Sequence, residues 1–340
     1  MADKLRWGII GTGNIARQFA EGVAGAKRSV ISAVASRRQE TADAFAGQHA
    51  IPNAYGDYAK LLDDPAVEAV YISLPNSLHC QWTIRALQAG KHVLCEKPFA
   101  MNLDEAQRMF AAAEAADRLL MEAFMYRCHP LITAVRDAVR SGEIGRLQII
   151  RTSFCYRTRT IEGNVRFVPE LGGGALMDIG CYCIDFSRLF AGGEPETVLA
   201  VGHRHETGVD DLVVGSMRFG NGILAGFTCG MSAQADNTAY LLGDEGYIQI
   251  PIPWKPPVKQ AEFTIARGTP PRMDQKSASA ASVKPASPPQ RRITIDAPVP
   301  LYALEADAFA AAVLDGAPLP VTRQDTLGNM KVIDQMLAQI

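Results

Sequence analysis

Apolar and polar positions follow two different periods along this chain. In the first third, short continuous apolar runs stand at Leu5–Ile10, Val30–Ala35, Ala69–Leu74, His92–Cys95 and Leu119–Ala123, and each predicts a strand buried on both faces. Between them, Asn14–Gly25, Gln39–His49, Tyr58–Asp63, Leu78–Ala89 and Leu103–Ala116 place apolar residues at helical spacing. Asn102 precedes Leu103-Asp104-Glu105, an N-cap followed by two acids that suit a helix's first turn. Strand-helix alternation of this kind predicts a parallel sheet covered by helices on both faces and wound by right-handed crossovers.

The period changes after about Arg146. Leu147–Tyr156, Val198–His205, Leu212–Phe219, Gly222–Cys229, Thr238–Gly243 and Gly246–Pro251 read as strands, with one helix, Gly174–Phe190, among them. Phe219-Gly220-Asn221-Gly222-Ile223 predicts a hairpin with a type I′ turn, because Asn-Gly accepts positive φ. The stretch from Pro251 to about 290 is rich in Pro and Ser and is expected to be an exposed loop. Leu301–Leu314 and Thr326–Ile340 then read as helices that dock back on the first domain. The fold class is therefore α/β: a dinucleotide-binding domain over 1–124, then an α+β domain over 125–340 with a large open, mainly antiparallel sheet.

Composition narrows the partners. A length of 340 residues with 48% hydrophobic and 21% charged positions fits two globular domains. A formal net charge of −2 favours neither nucleic acid nor an anionic membrane. The start lacks a secretory pattern, no apolar run approaches the roughly 20 residues of a membrane span, and seven scattered cysteines form no disulfide framework. A cytoplasmic protein is expected.

Gly11-Thr12-Gly13-Asn14-Ile15-Ala16 follows the first apolar run and opens a helix, the context that a dinucleotide fingerprint requires. Gly11 permits the turn, Gly13 admits the pyrophosphate, and Ala16 lets helix and strand pack closely. An acid at the end of the second strand would bind the adenosine ribose of NAD. Ser36-Arg37-Arg38 stands there instead, a hydroxyl and two guanidinium groups suited to a 2′-phosphate. NADP is the expected cofactor, with NAD as the alternative.

Further motifs lie at strand ends: Leu74-Pro75-Asn76-Ser77-Leu78-His79, Glu96-Lys97-Pro98, and Gly172-Gly173-Gly174-Ala175-Leu176-Met177-Asp178-Ile179-Gly180-Cys181-Tyr182. With the glycine turn, these resemble the glucose-fructose oxidoreductase / inositol dehydrogenase (Gfo/Idh/MocA) family over Leu5 to about Ile250. The resemblance implies a Rossmann domain, a second domain whose open sheet makes a homodimer or homotetramer, and NAD(P)-dependent oxidation of CH–OH groups. It places Lys97 beside the nicotinamide and the reacting oxygen, and it adds Leu74, Pro75, Asn76, His79 and Glu96 to the cofactor site.

Tyr182 stands where many members carry His, which resembles the branch of sugar 1-dehydrogenases and dimeric dihydrodiol dehydrogenase. That branch implies Tyr182 as acid/base, with Asp178 orienting substrate or Lys97. On a regular helix Asp178 and Tyr182 are four apart and share a face, and a nearby Lys97 would favour the ionised phenol. Tyr126 and Phe167 are expected to line the substrate pocket. Glu122 is expected near the cofactor, and Arg127 either at a substrate oxygen or in an interdomain ion pair. Asp185 matches another frequent acid of the family. Cys181-x-Cys183 and His203-x-His205 are read as structural, so no metal is expected.

The substrate expected is a sugar such as xylose or glucose; a trans-dihydrodiol or anhydro-sugar is the alternative. A non-catalytic NADP-binding regulator and a redox-assisted glycosidase are the rival classes, separated by whether net cofactor reduction occurs.

Overall fold

The computed structural model describes residues 3–268 and 289–340. Its first sheet holds β1 (Leu5–Ile10), β2 (Ser29–Ala35), β3 (Asn53–Tyr55), β4 (Ala69–Ile72), β5 (His92–Glu96) and β6 (Leu120–Ala123). They pair in parallel in the order β3-β2-β1-β4-β5-β6. Helices α1 (Asn14–Val23), α2 (Gln39–His49), α3 (Tyr58–Leu62), α4 (His79–Gln88) and α5 (Leu103–Ala116) connect them. This is Rossmann order, and the winding reverses between β1 and β4, which opens a crevice at their carboxyl ends. β3 has no counterpart in the hydrophobic pattern, because its three residues are only half buried.

After α6 (Pro130–Arg140), the second sheet contains β7 (Leu147–Cys155), β8 (Pro195–Arg204), β9 (Asp210–Phe219), β10 (Leu224–Gly230), β11 (Ala239–Gly243), β12 (Gly246–Ile250), β13 (Ala261–Arg267) and β14 (Gln290–Ile295). Their order is β14-β13-β12-β11-β7-β10-β9-β8, antiparallel except between β7 and β10. Helix α7 (Cys181–Ala191) packs on β7 and β10.

Two local expectations need correction. The stretch over 251–290 is not one loop: β13 lies inside it and β14 begins at its end, because Ala261, Phe263 and Ile265 alternate inward as a strand requires. Pro270-Pro271 and Ser277 to Ser282 lie outside the described residues. The β9–β10 hairpin forms, but of its turn residues only Gly222 has positive φ (86°), and the Gly222 N–H bonds the Phe219 carbonyl. That is a three-residue loop with glycine in last place, not a type I′ turn.

The last helices, α8 (Leu301–Asp315) and α9 (Arg323–Leu337), tie the sheets together. α8 lies on α1, β1 and β2, with the Phe309 ring 5.2 Å from Trp7 and Tyr302 6.5 Å from Phe19. α9 starts at a capping box of Thr322 and Asp325 and packs against α5, α7 and β8.

Candidate active site

The glycine turn is built as an anion site. Gly11 has φ 107°, and a Cβ there would lie 2.8 Å from Ser73 Oγ, so only glycine fits. Gly13 is the N-cap of α1; no side chain caps the helix, and a Cβ on Gly13 would meet nothing within 4 Å. Free first-turn amides facing open space fit a diphosphate. Thr12 Oγ1 lies 3.4 Å from Ser36 Oγ, so the turn and the end of β2 adjoin. Arg37 and Arg38 are exposed, and neither has a carboxylate partner among the described residues. Asn14 is exposed and Ile15 half buried at the helix start. The residues therefore fit a dinucleotide with an extra phosphate on its adenosine side.

Across the crevice lies a cluster centred on Asp178. Lys97, at the end of β5 and preceding a cis proline, donates from Nζ to the Asp178 carbonyl at 2.7 Å and to Oδ1 at 3.1 Å. Asp178 Oδ2 accepts from the Tyr156 hydroxyl at 2.6 Å and from Arg166 Nε at 2.8 Å. Burial alone would raise the Asp178 pKa, but Lys97, Arg166 and the Tyr156 hydroxyl outweigh it and hold the carboxyl well below the usual range. Burial opposes the Lys97 charge most strongly, yet Asp178, Cys181 and Glu96 together outweigh it and raise the lysine above its ordinary value. Both groups are ionised at neutral pH.

Asp178 does not sit on a regular helix. Leu176–Gly180 forms a π-helical turn before α7, so the expected four-residue spacing to Tyr182 is broken by a widened turn. Gly174 (φ 122°) admits this turn, since a Cβ there would overlap Asp210 Oδ1, and Asp210 Oδ2 accepts the Leu176 N–H at 2.7 Å. Tyr182 still reaches the cluster with its ring: Lys97 Nζ lies 5.1 Å from the ring centroid. Its hydroxyl donates to Met125 Sδ at 3.5 Å. Burial above all, with Glu96 adding, pushes the phenol pKa well up. Lys97 therefore does not ionise Tyr182, contrary to expectation, because its charge faces the ring and is matched by Asp178.

Several expected ligand contacts point elsewhere. His79 is fully buried, its ring nitrogens 2.9 and 3.0 Å from the Leu74 and Pro98 carbonyl oxygens, so it braces the cofactor loop from behind. Glu96 is buried too; it accepts from the Tyr71 hydroxyl and from the Lys97 N–H. Leu74 is buried and Pro75 half buried, while Asn76 Nδ2 donates to the Gly172 carbonyl at 2.8 Å and ties the two domains. Glu122 is sealed from any cofactor: its Oε1 accepts the Phe99 N–H at 3.1 Å, and burial with Asp185 adding pushes its pKa to about 8.

The pocket residues expected at the end of β6 also turn inward. Tyr126 donates to Asp185, and Arg127 pairs with Asp185 at 2.9 Å and Asp325 at 3.2 Å. Arg127 is only 7% exposed, and its side chain is engaged by these two ion pairs, which lie within 125–340 and not between the domains. Phe167 is buried edge-on against His205. Tyr156 and Trp254 join this region without a sequence motif of their own. Trp254 stacks on Phe154 at 5.6 Å and meets the Tyr182 ring at 5.9 Å. The aromatic content of Phe154-Cys155-Tyr156 was the one signal for this wall.

Cys181 and Cys183 are buried, His203 pairs with Asp211, and no group of three ligating side chains converges among the described residues. No helix there is long and apolar enough to cross a membrane.

Comparison with known proteins accords with this geometry. Trans-1,2-dihydrobenzene-1,2-diol dehydrogenase of Homo sapiens is 39% identical over 261 residues, 74% of this chain and 76% of its own. An oxidoreductase of Rhizobium meliloti is 36% identical over 335 residues, 98% of this chain and 96% of its own. A 3-ketoreductase from Actinomadura kijaniata, solved with NADP and TDP-benzene, superposes with TM-score 0.87 at 31% identity, covering 99% of this chain and 98% of its own. An aldose-aldose oxidoreductase from Caulobacter crescentus gives 0.86 at 26% identity over 99% and 97%. The model of the oxidoreductase family with an NAD-binding Rossmann fold (Gfo/Idh/MocA) matches residues 5–124, and that of the family's C-terminal domain matches 132–249. The chain thus belongs to the Gfo/Idh/MocA family and is an NAD(P)-dependent oxidoreductase acting on CH–OH groups.

Proposed function

We propose that this enzyme moves a hydride between NADP and the carbinol carbon of a sugar, an aldopyranose such as xylose or glucose. The observation that carries the reading is the Lys97–Asp178 ion pair, set at the crevice beside the Tyr182 ring. Residues 1–124 would hold the cofactor through Gly11, Thr12, Gly13, Asn14, Ile15, Ser36, Arg37 and Arg38, with Pro75 and Asn76 alongside; residues 125–340 would supply the substrate side.

When bound, the nicotinamide accepts or returns a hydride at C4. The Lys97 ammonium donates a hydrogen bond to the carbinol oxygen and carries charge as an alkoxide develops. Asp178 keeps that ammonium protonated and aimed, and Tyr156 and Arg166 fix Asp178. Tyr182 is held neutral by burial, so it gives its proton to the oxygen when a carbonyl is reduced, and the phenolate so formed takes the proton back when the carbinol is oxidised. A second reading, a trans-dihydrodiol substrate, draws on the aromatic wall of Phe154, Trp254 and Tyr182 and on the relatives named for that activity.

The test is a panel of aldopyranoses and dihydrodiols with NADP and with NAD, followed by cofactor absorbance. Turnover of sugars with NADP is expected. Turnover of dihydrodiols alone selects the second reading, and no net reduction with any of them sinks both in favour of a regulator or a redox-assisted glycosidase. Tighter NADH than NADPH binding would refute the role of Ser36, Arg37 and Arg38.

The assembly proposed is a homodimer or homotetramer through the second sheet. Its exposed apolar residues are in register: Val201 faces Val214 and Ile149 faces Leu224 across neighbouring strands, with Leu199 beside them.

A further inference from the structure

The segment after β12 carries Pro253-Trp254-Lys255-Pro256-Pro257, in which Trp254 and Lys255 face opposite tasks. Trp254 is a fixed anchor. It is 3% exposed, donates from Nε1 to the Ser153 carbonyl at 2.9 Å, and stacks on Phe154. Prolines on either side limit the backbone further. Lys255 is held by this anchor but stays exposed, and its ammonium crosses to the first domain, 3.2 Å from Gln18 Oε1.

Gln18 lies on α1 one turn beyond Asn14, so Lys255 stands over the helix whose first amides face the dinucleotide crevice. Its charge is also felt at the other end of that crevice. Desolvation, and then Lys97, lower its pKa, while Glu96 and Asp178 oppose them. Those two carboxylates are already engaged by Tyr71 and by Lys97, Tyr156 and Arg166. Among the described residues Lys255 has no carboxylate partner of its own. A neutral amide oxygen is a weak partner for an ammonium, and phosphate oxygens are a strong one.

We propose that Lys255 exchanges Gln18 for the diphosphate of the bound dinucleotide, so that the second domain contributes a cation to the cofactor site. This rests on the reading of the crevice as an NADP site. The arrangement places one positive side chain opposite the helix start, with the anion held between them from two domains. It also couples the cofactor to the Trp254 wall, since the same short segment carries both.

The experiment is calorimetric titration of NADPH, and separately of 2′-phospho-ADP-ribose, into the full chain and its Lys255→Ala, Lys255→Gln and Lys255→Arg variants. Loss of the ammonium is expected to raise Kd about tenfold for both ligands at low salt. Lys255→Arg stays within about threefold, and the wild-type advantage shrinks in about 0.5 M NaCl. Unliganded melting temperatures equal to the wild type's accompany that result. Unchanged Kd values overturn the proposal, whether they come with a raised KM for the carbinol, which assigns Lys255 to the substrate, or with a lowered melting temperature, which makes it structural. Absence of NADPH binding by the wild type would instead remove the cofactor reading and the proposal with it.

Discussion

Two clusters of the same chemistry stand seven residues apart on the π turn and α7: Asp178 with Tyr156 and Arg166, and Asp185 with Tyr126 and Arg127. Each is an aspartate bonded by one phenol and one guanidinium. The first includes Lys97 and borders the crevice, and its Arg166 is 47% exposed. The second is sealed, with Asp185 at 1% exposure and Arg127 bridging to Asp325 at the foot of α9. Residue types alone do not separate a crevice-side cluster from a buried structural rivet. What separates them is Lys97, a second cation on Asp178, and the half-exposed Arg166 beside it, against a pair that is closed off.

The sharpest break between the clusters is catalytic. Lys97→Ala and Tyr182→Phe are each expected to lower kcat roughly a thousandfold while the NADPH Kd, read by titration, stays near the wild-type value. Asp185→Asn should do the reverse. It leaves Arg127 under-compensated in a buried site and is expected to cost about 3–5 kcal/mol in denaturant unfolding. Turnover of the protein that remains folded should fall less than about threefold; a hundredfold loss would put Asp185 in the chemistry.

A pH titration separates the two next. Glu122 adjoins the sealed cluster, and its pKa is raised from 4.5 to about 8 in the folded chain. A raised carboxyl stabilises fully below its unfolded value and loses that contribution as pH rises through the folded one. Unfolding free energy should therefore fall between about pH 5 and 8, by at most about 1.4 kcal/mol per pH unit, and Glu122→Gln should flatten that slope. Asp178, held low, acts in the opposite sense: its ion pair with Lys97 is lost only as the medium becomes strongly acidic. The smallest effect belongs to Tyr156→Phe, which removes one charge-assisted hydrogen bond from Asp178. It should reduce kcat by about tenfold or less with stability nearly unchanged.

The parts of this site that were legible are those whose chemistry is local in sequence. A dinucleotide fingerprint needs glycine at Gly11 and Gly13 between a buried strand and a helix, so one contiguous stretch from Leu5 into the first helix carries the signal. Lys97 and Asp178 were legible as motif positions. Tyr156 was not, because it arrives from β7's end and meets Asp178 only through the fold. Tyr126, Arg127 and Glu122 were placed at the right end of β6, but the tight turn over Met125–Cys128 sends the first two towards Asp185, a direction that spacing along a chain does not encode. In the second domain, the prolines around β13 masked a clear inward alternation.

Helix α8 bears on how this protein can be made or rebuilt. Phe309 and Tyr302 complete the aromatic packing around Trp7 and Phe19, beneath the very strand that leads into the glycine turn. Residues 1–124 without residues 301–315 lack that cover, so Trp7 and Phe19 stay partly uncovered until α8 is also present. Anyone grafting a relative's substrate half onto this cofactor half must carry residues 301–315 across with the recipient, or accept an orphaned apolar flank.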